Sequence, residues 1–584
     1  MTSEPSKILP RRSVQKITAY SPPLEGRRSR IRLDFNENTQ GFPHIGLPNM
    51  PEEEARALLT LYPEYTEFLK QLSVLLELPV DYLLCTNGSD EALAIIPQTF
   101  IEPKEDRALT MTPTFGLIPH QLHLAEADLT EIPYNPTTHL YDIEPIEAAL
   151  AEKQVKVAVF ASPDNPIGAA LPVETVEQWC QRFPKTLFVI DEAYAEYAGQ
   201  TALPLVQKYN NLLVTRTFSK AWGLAGLRLG IIAGNPELIH YLKRVRSPYS
   251  VNTLAVKAAL NLLPRKEDVF KAARETMQRK ERVLAQIQER GYYVTPGRAN
   301  FFLLHIGPDS STFVNFFREN GILLRDQSSR IGLEGLVRIS VGNDAEMNRF
   351  IDVLDAFRDH HVLLFDMDGT LVDTHQSFDA TVAELVKKHS GKPLAADELD
   401  NLRREGGFND DWEATVELLK RRGVSKTLEE ISNEAQELYL KLAPDNEKWI
   451  INPDQLRQLK RRFKLGVATG RYRLEFDTIW KERFEEFFDI VICQDDGGSL
   501  SDGEGWEKKP HPRIIKEALK GMNAAGGVYV GNSVDDMKAA KSIDLFAIGV
   551  NFNNDSTTMK AAGADWTIDS FDELVSRLTP APPP

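Results

Sequence analysis

The chain has 584 residues, well beyond the roughly 250 to 300 at which one hydrophobic core stops growing, so its length predicts two or more domains. Its residues are 42% hydrophobic and 26% charged, which is typical of a globular protein and excludes a disordered or collagen-like chain. A formal net charge of -16 argues against a general binder of nucleic acids or of anionic membrane surfaces.

Two further features of the sequence exclude other classes of protein. The three cysteines are widely separated and form no C-x-x-C pair, so neither a disulfide framework nor a zinc site is indicated. The first residues lack the apolar core of a secretory signal, and no stretch approaches the ~20 apolar residues of a membrane span. We therefore expect a cytoplasmic protein that binds neither nucleic acid nor membrane.

Strand-like apolar runs alternate with helix-period segments along the chain, as in VKVAVFAS, ETVEQWCQRF and TLFVIDEAY, which predicts α/β domains with largely parallel sheets. A first unit ends after the amphipathic DAEMNRFIDVLDAF, and the buried strand in HVLLFDMDG starts the next. We place the boundary at Asp359 to His361, which gives domains of residues 1–361 and 362–584. A charge-rich, helix-period segment over 376–452 predicts a helical lid inserted into the second α/β core.

Several chemically active residues of the first unit follow predicted strands. A lysine that forms a Schiff base with an aldehyde cofactor needs a nearby acid, because a protonated pyridine ring is the better electron sink. The run TRTFSKAWGLAGLRLG supplies Ser219, Lys220 and Arg228 around a Gly-rich turn. The run FVIDEAYAEY places Asp191 at the end of a buried strand, with Tyr194 just after it.

Two more segments complete this pattern. TNGSDEAL starts a predicted helix whose free N–H groups suit a phosphate, and ASPDNPIGAA places Asn165 in a loop after a strand. With S-x-D-N-P-x-G, D-E-A-Y and S-K-x-x-G-L-A-G-L-R in order, residues 14 to about 357 resemble the fold-type I, class I/II aminotransferases, and among these the histidinol-phosphate aminotransferases.

The resemblance implies pyridoxal 5'-phosphate as cofactor. Lys220 would bond to the cofactor aldehyde and carry the proton, and Asp191 would pair with the pyridinium nitrogen. Asn165 and Tyr194 would contact the 3-oxygen of the ring. The residues that would hold the cofactor phosphate are Ser89, Asp90, Ser219 and Arg228. Phe115 in TPTFG stands where the family usually stacks a tyrosine on the ring, a change that stacking should tolerate because it needs only the π face.

Substrate choice rests on fewer residues. Arg325 in GILLRDQ and Arg338 in GLVRISVGN offer planar forks that suit carboxylate and phosphate. The resemblance implies that Arg338 grips the α-carboxylate of a glutamate donor and that both arginines serve the phosphate of histidinol phosphate. It also places Tyr20 near that phosphate and Asn36 in the segment lining the site, and it matches Tyr62 to a tyrosine that reaches the neighbouring subunit's cofactor, which implies a homodimer.

Two alternatives remain open for this unit. Arg325 can instead be a structural ion-pair partner. Enzymes acting on aromatic amino acids or on other amino-alkyl phosphates also share most of these motifs, so the substrate is less well indicated than the reaction.

In the second unit, the D-x-D-G-T of HVLLFDMDGTLVDT places Asp366 and Asp368 on a turn after a buried strand, with Gly369 for backbone freedom. Two such carboxylates can divide nucleophile and acid roles while a hard cation neutralises their repulsion. Their later partners are Thr469 after KLGVATG, Lys509 in KKPHP, and Asp535 and Asp536 in YVGNSVDDM. Residues 362 to about 578 thus resemble the haloacid dehalogenase-like phosphatases of subfamily IA.

By that resemblance Asp366 attacks phosphorus, Asp368 protonates the leaving alkoxide and then activates water, and Thr469 with Lys509 holds the phosphoryl oxygens. The implied magnesium ligands are Asp366, Asp368, Asn532 and Asp536. The lid over 376–452 would be the family's cap, and its GGFNDDWE is either a specificity loop or a polar helix N-terminus.

One departure matters, since the last motif usually reads Gly-Asp and here Asn532 follows the glycine. An amide oxygen can ligate magnesium but carries no charge, so we expect weaker metal binding or slower turnover, or a fold that has lost catalysis.

An aminotransferase fused to a phosphatase predicts consecutive steps. The leading hypothesis is that imidazole acetol phosphate and glutamate give histidinol phosphate, which the second domain hydrolyses to histidinol. The alternatives are another small keto phosphate, for instance a three-carbon one, or a non-catalytic second half that binds phosphorylated metabolites.

Overall fold

The computed structural model describes residues 27, 29–42, 51–152, 154–307, 309–395, 397–405, 411–497, 507–552 and 556–579. Contacts divide the chain into two compact units, the first within residues 1–353 and the second within 354–580. No helix in the described ranges is both long enough and apolar enough to cross a membrane.

The first unit is built on a seven-stranded sheet. In spatial order its strands are Leu83–Thr86, Gly230–Gly234, Leu212–Thr217, Leu187–Asp191, Val155–Ala161, Arg107–Thr112 and Asp128–Pro133. The strand Gly230–Gly234 runs antiparallel to both neighbours, and the other pairs are parallel. The strand Leu187–Asp191 is buried along its whole length because helices cover both faces of a parallel sheet, which is why it reads as a continuous apolar run.

Alternate side chains of these strands enter two cores. Phe160 and Phe188 belong to the core on one face, and Val159 and Val189 belong to the core on the other. The α-helices around the sheet are Glu52–Thr60, Thr66–Leu76, Gly88–Phe100, Leu117–Leu124, Ile143–Glu152, Val173–Arg182, Ala195–Ala198, Pro236–Val245, Thr253–Leu262, Lys266–Glu289 and Ser310–Glu319. The 3-10 turns are Val80–Tyr82, Leu203–Gln207, Ala225–Leu227 and Leu263–Arg265.

A smaller antiparallel sheet contributes the arginine-bearing strands. Its strands, in spatial order, are Arg325–Asp326, Leu336–Ser340, Phe301–His305 and Val294–Thr295. A short parallel pair joins Ile31–Arg32 to Ile322–Leu323. The helix Asp344–His360 follows and contains the residue at which the two units divide.

The second unit is built on a six-stranded, wholly parallel sheet. Its strands, in spatial order, are Ile490–Ile492, Leu465–Ala468, His361–Phe365, Gly526–Gly531, Phe546–Val550 and Trp566–Ile568. The helices beside this sheet are Pro453–Arg462, Arg473–Ile479, Lys481–Phe484, Arg513–Gly521, Val534–Lys541, Ser556–Ala561 and Phe571–Leu578. The D-x-D-G-T turn therefore leaves the middle of the sheet, between the strands that precede Thr469 and Asn532.

A helical insertion leaves the second unit directly after this turn. Its helices are His375–Ser390, Glu398–Glu405, Asp411–Arg421 and Leu428–Asn446, and they enclose a core of their own around residues such as Leu418 and Tyr439. The antiparallel pair Val372–Asp373 and Lys448–Trp449 closes its base. Residues 406–410, in the segment interpreted as a specificity loop, lie outside the described residues.

Candidate active sites

Four residues expected to hold a cofactor phosphate lie together at the start of the helix Gly88–Phe100. Arg228 Nη2 donates to Asp90 Oδ2 at 2.7 Å, and Arg228 Nη1 donates to Ser219 Oγ at 3.2 Å. Ser89 and Asp90 occupy the first turn, where backbone N–H groups have no partner within the helix and attract anions. A helix N-terminus, a guanidinium and hydroxyl groups thus form one cup.

Glycines allow the backbone to form this cup. Gly88 has φ +72°, and a Cβ there would lie 2.6 Å from Arg228 Nη2. A Cβ on Gly230 would lie 2.5 Å from the carbonyl carbon of Gly88 and 2.7 Å from Ser89 N. Any side chain would therefore fill the cradle or displace its walls. The cradle fits a phosphate group such as that of pyridoxal phosphate.

Asp191 ends the strand Leu187–Asp191 and is only 3% exposed. Its Oδ1 accepts a hydrogen bond from Thr215 Oγ1 at 2.7 Å. Burial raises the pKa of Asp191 to about 6, while Thr215 and the Lys220 ammonium act in the opposite direction. A buried carboxylate gains from a neighbouring cation or N–H donor, which is what a protonated pyridine nitrogen offers.

Lys220 lies close to Tyr194 and to the segment before the first helix. Its Nζ donates to Phe35 O at 2.9 Å and lies 5.5 Å from the centre of the Tyr194 ring. The Tyr194 hydroxyl accepts from Asn36 Nδ2 at 3.0 Å. Contacts thus join three segments that the sequence motifs had selected separately, those of Lys220, Tyr194 and Asn36.

Arg338 is buried beside a second arginine. It donates to Asn165 Oδ1 and to the main-chain oxygen of Asp34. Burial lowers the pKa of Arg338 to about 10, and the charges of Arg325 and Arg330 act in the same direction. Arg325 lies opposite Arg338 in the strand register and forms no ion pair with any carboxylate in the described part of the chain. The described part of the chain therefore offers no carboxylate that would make Arg325 a structural ion-pair partner.

The other residues selected for this site are less closely involved. Phe115 is half-buried against one core of the seven-stranded sheet. Tyr62 is 75% exposed and stacks on Tyr249 with 4.3 Å between ring centres. Tyr20 lies outside the described residues.

Main-chain groups of residues 34–36 were missed by sequence reasoning. The carbonyl oxygens of Phe35 and Asp34 accept from the lysine and from the buried arginine. Asn36 has φ +55°, its Oδ1 accepts from Ser340 Oγ at 2.7 Å, and its main-chain oxygen accepts from Asn300 Nδ2 at 3.2 Å. No sequence signal marks a carbonyl oxygen, although the FNEN segment was expected to line the site.

In the second unit the expected nucleophile and lysine are in direct contact. Lys509 Nζ donates to Asp366 Oδ1 at 2.6 Å, to Asp536 Oδ1 at 2.7 Å and to the Tyr529 hydroxyl at 2.7 Å. Burial raises the pKa of Asp366 to about 7, and the Lys509 charge acts in the opposite direction. Tyr529 was missed because it lies inside the apolar strand Gly526–Gly531.

Asp536 has a structural task. Its Oδ2 accepts from Ser533 N at 3.1 Å and from Ser533 Oγ at 2.7 Å, which closes a capping box on the helix Val534–Lys541. Its Oδ1 accepts from Lys509. The geometry shows Asp536 holding the lysine and the helix, and its role as a magnesium ligand, which the resemblance implied, stays a prediction.

The remaining oxygen donors at the turn still fit magnesium. Thr370 Oγ1 lies 3.2 Å from Asn532 Oδ1 and 3.4 Å from Asp366 Oδ2, so the amide and the carboxylate converge. Together with the Asp368 main-chain oxygen they are the hard ligands that Mg²⁺ prefers. Within the described ranges no three or more His, Cys, Asp or Glu side chains are grouped to hold a metal.

Thr469 and Asp368 meet at Arg471, another residue that the sequence reasoning missed. Thr469 is buried and its Oγ1 accepts from Arg471 N at 3.1 Å. The Asp368 carboxylate accepts from Arg471 Nη2 and, at 3.3 Å, from Arg471 Nε. In the letters GRYR this arginine is indistinguishable from a solvated surface charge.

Comparisons with known proteins assign a family to each unit. Residues 29–354 match the family described as aminotransferase class I and II. The chain belongs to this aminotransferase family. Residues 360–544 match the family described as haloacid dehalogenase-like hydrolase. The first unit is therefore an aminotransferase unit and the second a hydrolase unit, and the families and α/β folds predicted from the motifs are confirmed.

Relatives of the aminotransferase unit cover it almost completely. Histidinol-phosphate aminotransferase 2 of Idiomarina loihiensis is 30% identical over 361 residues, which are 59% of this chain and 97% of that protein. Histidinol-phosphate aminotransferase 1 of a Nostoc species is 33% identical over 363 residues, 60% of this chain and 97% of that protein.

A solved structure shows the same fold. The histidinol-phosphate aminotransferase of Sinorhizobium meliloti, crystallised with pyridoxal-5'-phosphate, aligns with a TM-score of 0.53 at 24% identity and covers 61% of this chain and 100% of that one. The aminotransferase fold implies pyridoxal phosphate as cofactor, and haloacid dehalogenase-like hydrolases typically use Mg²⁺. The two matches together support a bifunctional aminotransferase and phosphatase.

Proposed function

We propose that the chain catalyses two consecutive steps on one small metabolite. The aminotransferase unit transfers the amino group of glutamate to imidazole acetol phosphate, and the hydrolase unit releases phosphate from the histidinol phosphate so formed. The observation that carries the substrate class is the Arg325 guanidinium, which lies opposite Arg338 without a described carboxylate partner. Arg325 is a second, half-buried cation without a described carboxylate partner, which suits a substrate with two anionic groups. The names of the relatives support the same substrate.

When bound, pyridoxal phosphate supplies an electron sink for the carbon that gains or loses the amino group. We assign the cofactor phosphate to Ser89, Asp90, Ser219 and Arg228. Asp191 would hold the proton of the ring nitrogen, Asn165 and Tyr194 would contact the ring oxygen, and Phe115 would pack on the ring. Lys220 would bond to the aldehyde and move the proton at the substrate carbon, and its hydrogen bond to Phe35 O holds the amine in place.

The substrate groups are assigned to the arginines. Arg338, fixed by its bonds to Asn165 and Asp34, binds the α-carboxylate of glutamate, and Arg325 binds the phosphate of the keto substrate. Asn36 lines the same space, and Tyr20 is proposed to reach that phosphate. The two domains of this proposal are residues 1–361 and 362–584.

In the hydrolase unit, an Asp366 oxygen attacks phosphorus and the bond from phosphorus to the leaving oxygen breaks. Asp368 gives a proton to that oxygen, which leaves as an alcohol. Water then attacks phosphorus and gives a proton to Asp368, so phosphate is released and Asp366 is regenerated. Lys509 and Thr469 hold the phosphoryl oxygens. Mg²⁺, held by the Asp366 carboxylate, the Asp368 main-chain oxygen, Asn532 and Asp536, would neutralise phosphate charge.

A panel of keto phosphates tests the proposal. Purified protein is mixed with glutamate and either imidazole acetol phosphate, a three-carbon keto phosphate or an aromatic keto acid, and both the amine and free phosphate are measured. We expect both products only from imidazole acetol phosphate. Lys220→Ala should abolish both, whereas Asp366→Asn should abolish phosphate release and leave amination intact. Amination confined to another substrate would contradict the substrate assignment.

Asn532 favours a second candidate function for the hydrolase unit, that of a non-catalytic module that binds phosphorylated metabolites. The amide removes the charge that an aspartate would contribute at this position to the proposed magnesium ligands. In that case wild-type protein and Asp366→Asn would release phosphate from histidinol phosphate at the same background rate.

We also propose that the aminotransferase unit forms a homodimer. Its exposed apolar residues include neighbours in sequence, Leu59, Leu61 and Tyr62, at 77%, 66% and 75% exposure, and Tyr62 stacks on the half-exposed Tyr249. Contiguous exposed apolar surface of this kind is typical of protein interfaces.

A further inference from the structure

The side chain of Arg471 is fully buried between two carboxylates of the hydrolase unit. On one side it donates to both oxygens of Asp368. On the other side Nη1 donates to Glu447 Oε2 at 2.9 Å and Nη2 donates to Glu447 Oε1 at 3.1 Å. Neither Arg471 nor Glu447 has any exposed side-chain surface. The guanidinium thus bridges the proposed acid to a residue at the end of the helical insertion.

Glu447 is itself held from three directions. Its Oε1 accepts from Ser377 Oγ at 2.9 Å and from the Tyr439 hydroxyl at 2.6 Å, and its Oε2 accepts from Trp480 Nε1 at 2.6 Å. Ser377 and Tyr439 belong to two helices of the insertion. Burial acts to raise the pKa of Glu447, but the charge and hydrogen bonds of Arg471, with the hydrogen bonds of Tyr439 and Trp480, keep that pKa below its usual value. This buried network of hydrogen bonds therefore holds Arg471 in a fixed position against the helical insertion.

The orientation of Asp368 depends on such an anchor. The terminal torsion of an aspartate is broad, so the carboxylate plane is not set by the backbone. Two hydrogen bonds from one planar fork do set it, and a lysine ammonium offers no equivalent fork. The Asp368 side chain remains 30% exposed, so its outer edge still faces the space in front of the turn.

We propose that Arg471 is a positioning residue that fixes the Asp368 carboxylate for proton transfer to the leaving oxygen, and that Glu447 ties this orientation to the helical insertion. The inference rests on the proposed phosphatase activity and adds a residue pair to it. It also gives the insertion a mechanical link to the acid, since Ser377 and Tyr439 bind Glu447, which binds Arg471.

Leaving-group dependence tests this role. An alkyl phosphate such as histidinol phosphate needs a proton on its leaving oxygen, whereas p-nitrophenolate leaves without one. We compare kcat/KM for the two esters, because this constant reports the step in which the ester bond breaks. For Arg471→Lys we expect a loss of about twentyfold or more with histidinol phosphate and of less than about threefold with p-nitrophenyl phosphate. Asp368→Asn should show the same pattern more strongly.

Two further variants serve as controls. Arg473→Lys makes the same exchange two residues away, where Nε donates to Asp496 at 2.7 Å, and it should leave both rates unchanged. Because Arg471→Lys disturbs a buried pair and can fail to fold, the double variant Arg471→Gln with Glu447→Gln removes both charges together. It should reproduce the leaving-group pattern while retaining the wild-type melting temperature to within a few degrees.

The outcomes separate the two proposals. A selective loss with the alkyl ester in either Arg471 variant supports the inference. Equal losses with both esters, or no loss, would overturn it while leaving the phosphatase proposal standing. A wild-type protein that releases phosphate from neither ester would overturn the proposed activity and this inference with it.

Discussion

Replacement of Gly88 by alanine tests whether the cup at the start of the helix Gly88–Phe100 holds the cofactor phosphate. The new Cβ would lie 2.6 Å from Arg228 Nη2, which is closer than real side chains approach. Arg228 cannot yield without loss, since its hydrogen bonds to Asp90 at 2.7 Å and to Ser219 at 3.2 Å define its position. The substitution therefore moves the guanidinium out of the cup.

Two costs follow, and they can be measured separately. Gly88 has φ +72°, a conformation that costs an alanine about 1 to 2 kcal/mol of folding free energy. Displacing Arg228 removes a charge-assisted hydrogen bond to the bound phosphate, worth about 1.5 to 3 kcal/mol. At about 1.4 kcal/mol for each factor of ten, cofactor binding should weaken roughly ten- to hundredfold.

The assay is a titration of cofactor-free protein with pyridoxal phosphate, followed by its visible absorbance. Gly199→Ala is the matched control, because Gly199 has φ +69° and a Cβ there would meet nothing within 4 Å. Without cofactor, the melting temperatures of both variants should fall by similar amounts. Only Gly88→Ala should bind the cofactor more weakly. Dissociation constants within threefold of each other would refute the assignment of the cup.

Three further predictions concern other groups. Burial raises the pKa of Asp164 to about 7, so between about pH 4 and pH 7 this carboxyl is protonated in the native state and ionised in the unfolded chain. Its contribution therefore lowers the free energy of unfolding as the pH rises from about 4 to 7. Asp164→Asn should therefore stabilise the aminotransferase unit against urea by about 2 to 4 kcal/mol at pH 8 and much less at pH 4, while the exposed Asp81→Asn should change neither value. Lys509→Met leaves two buried carboxylates without their cation, so it should destabilise the hydrolase unit by about 3 to 5 kcal/mol. It should also abolish phosphate release but not amination. Phosphate release within tenfold of the wild-type rate would exclude the role assigned to Lys509. Tyr62→Asp should shift the mass measured by light scattering from dimer to monomer, whereas the same charge at the exposed Leu140 should not.

The residues that the sequence could single out lie next to a recognisable element. Asp191 and Asp366 each end or directly follow a fully buried strand, and the helix after Asn87 begins with the small polar residues that leave its N–H groups available. These signals are local, so they survive without knowledge of strand order. The contact between Lys220 and the carbonyl of Phe35 joins residues 185 positions apart, and no periodicity encodes it.

The contacts that the sequence did not indicate have physical reasons. The resemblance implied Asp536 as a metal ligand and gave no sign that its carboxylate also caps a helix through Ser533. Tyr529 reads as one more apolar strand residue, because its hydroxyl is visible only once Lys509 lies 2.7 Å away. Arg471 reads as a surface charge until tertiary folding buries it against Glu447.

The charges of the hydrolase site suggest why Asn532 is tolerated at all. Lys509 is shared by two buried carboxylates, those of Asp366 and Asp536, so this cluster already carries more negative than positive charge. A further aspartate beside Asp366 would increase the repulsion that an incoming phosphate ester meets before a cation binds. An amide at that position gives up metal affinity and reduces the same repulsion.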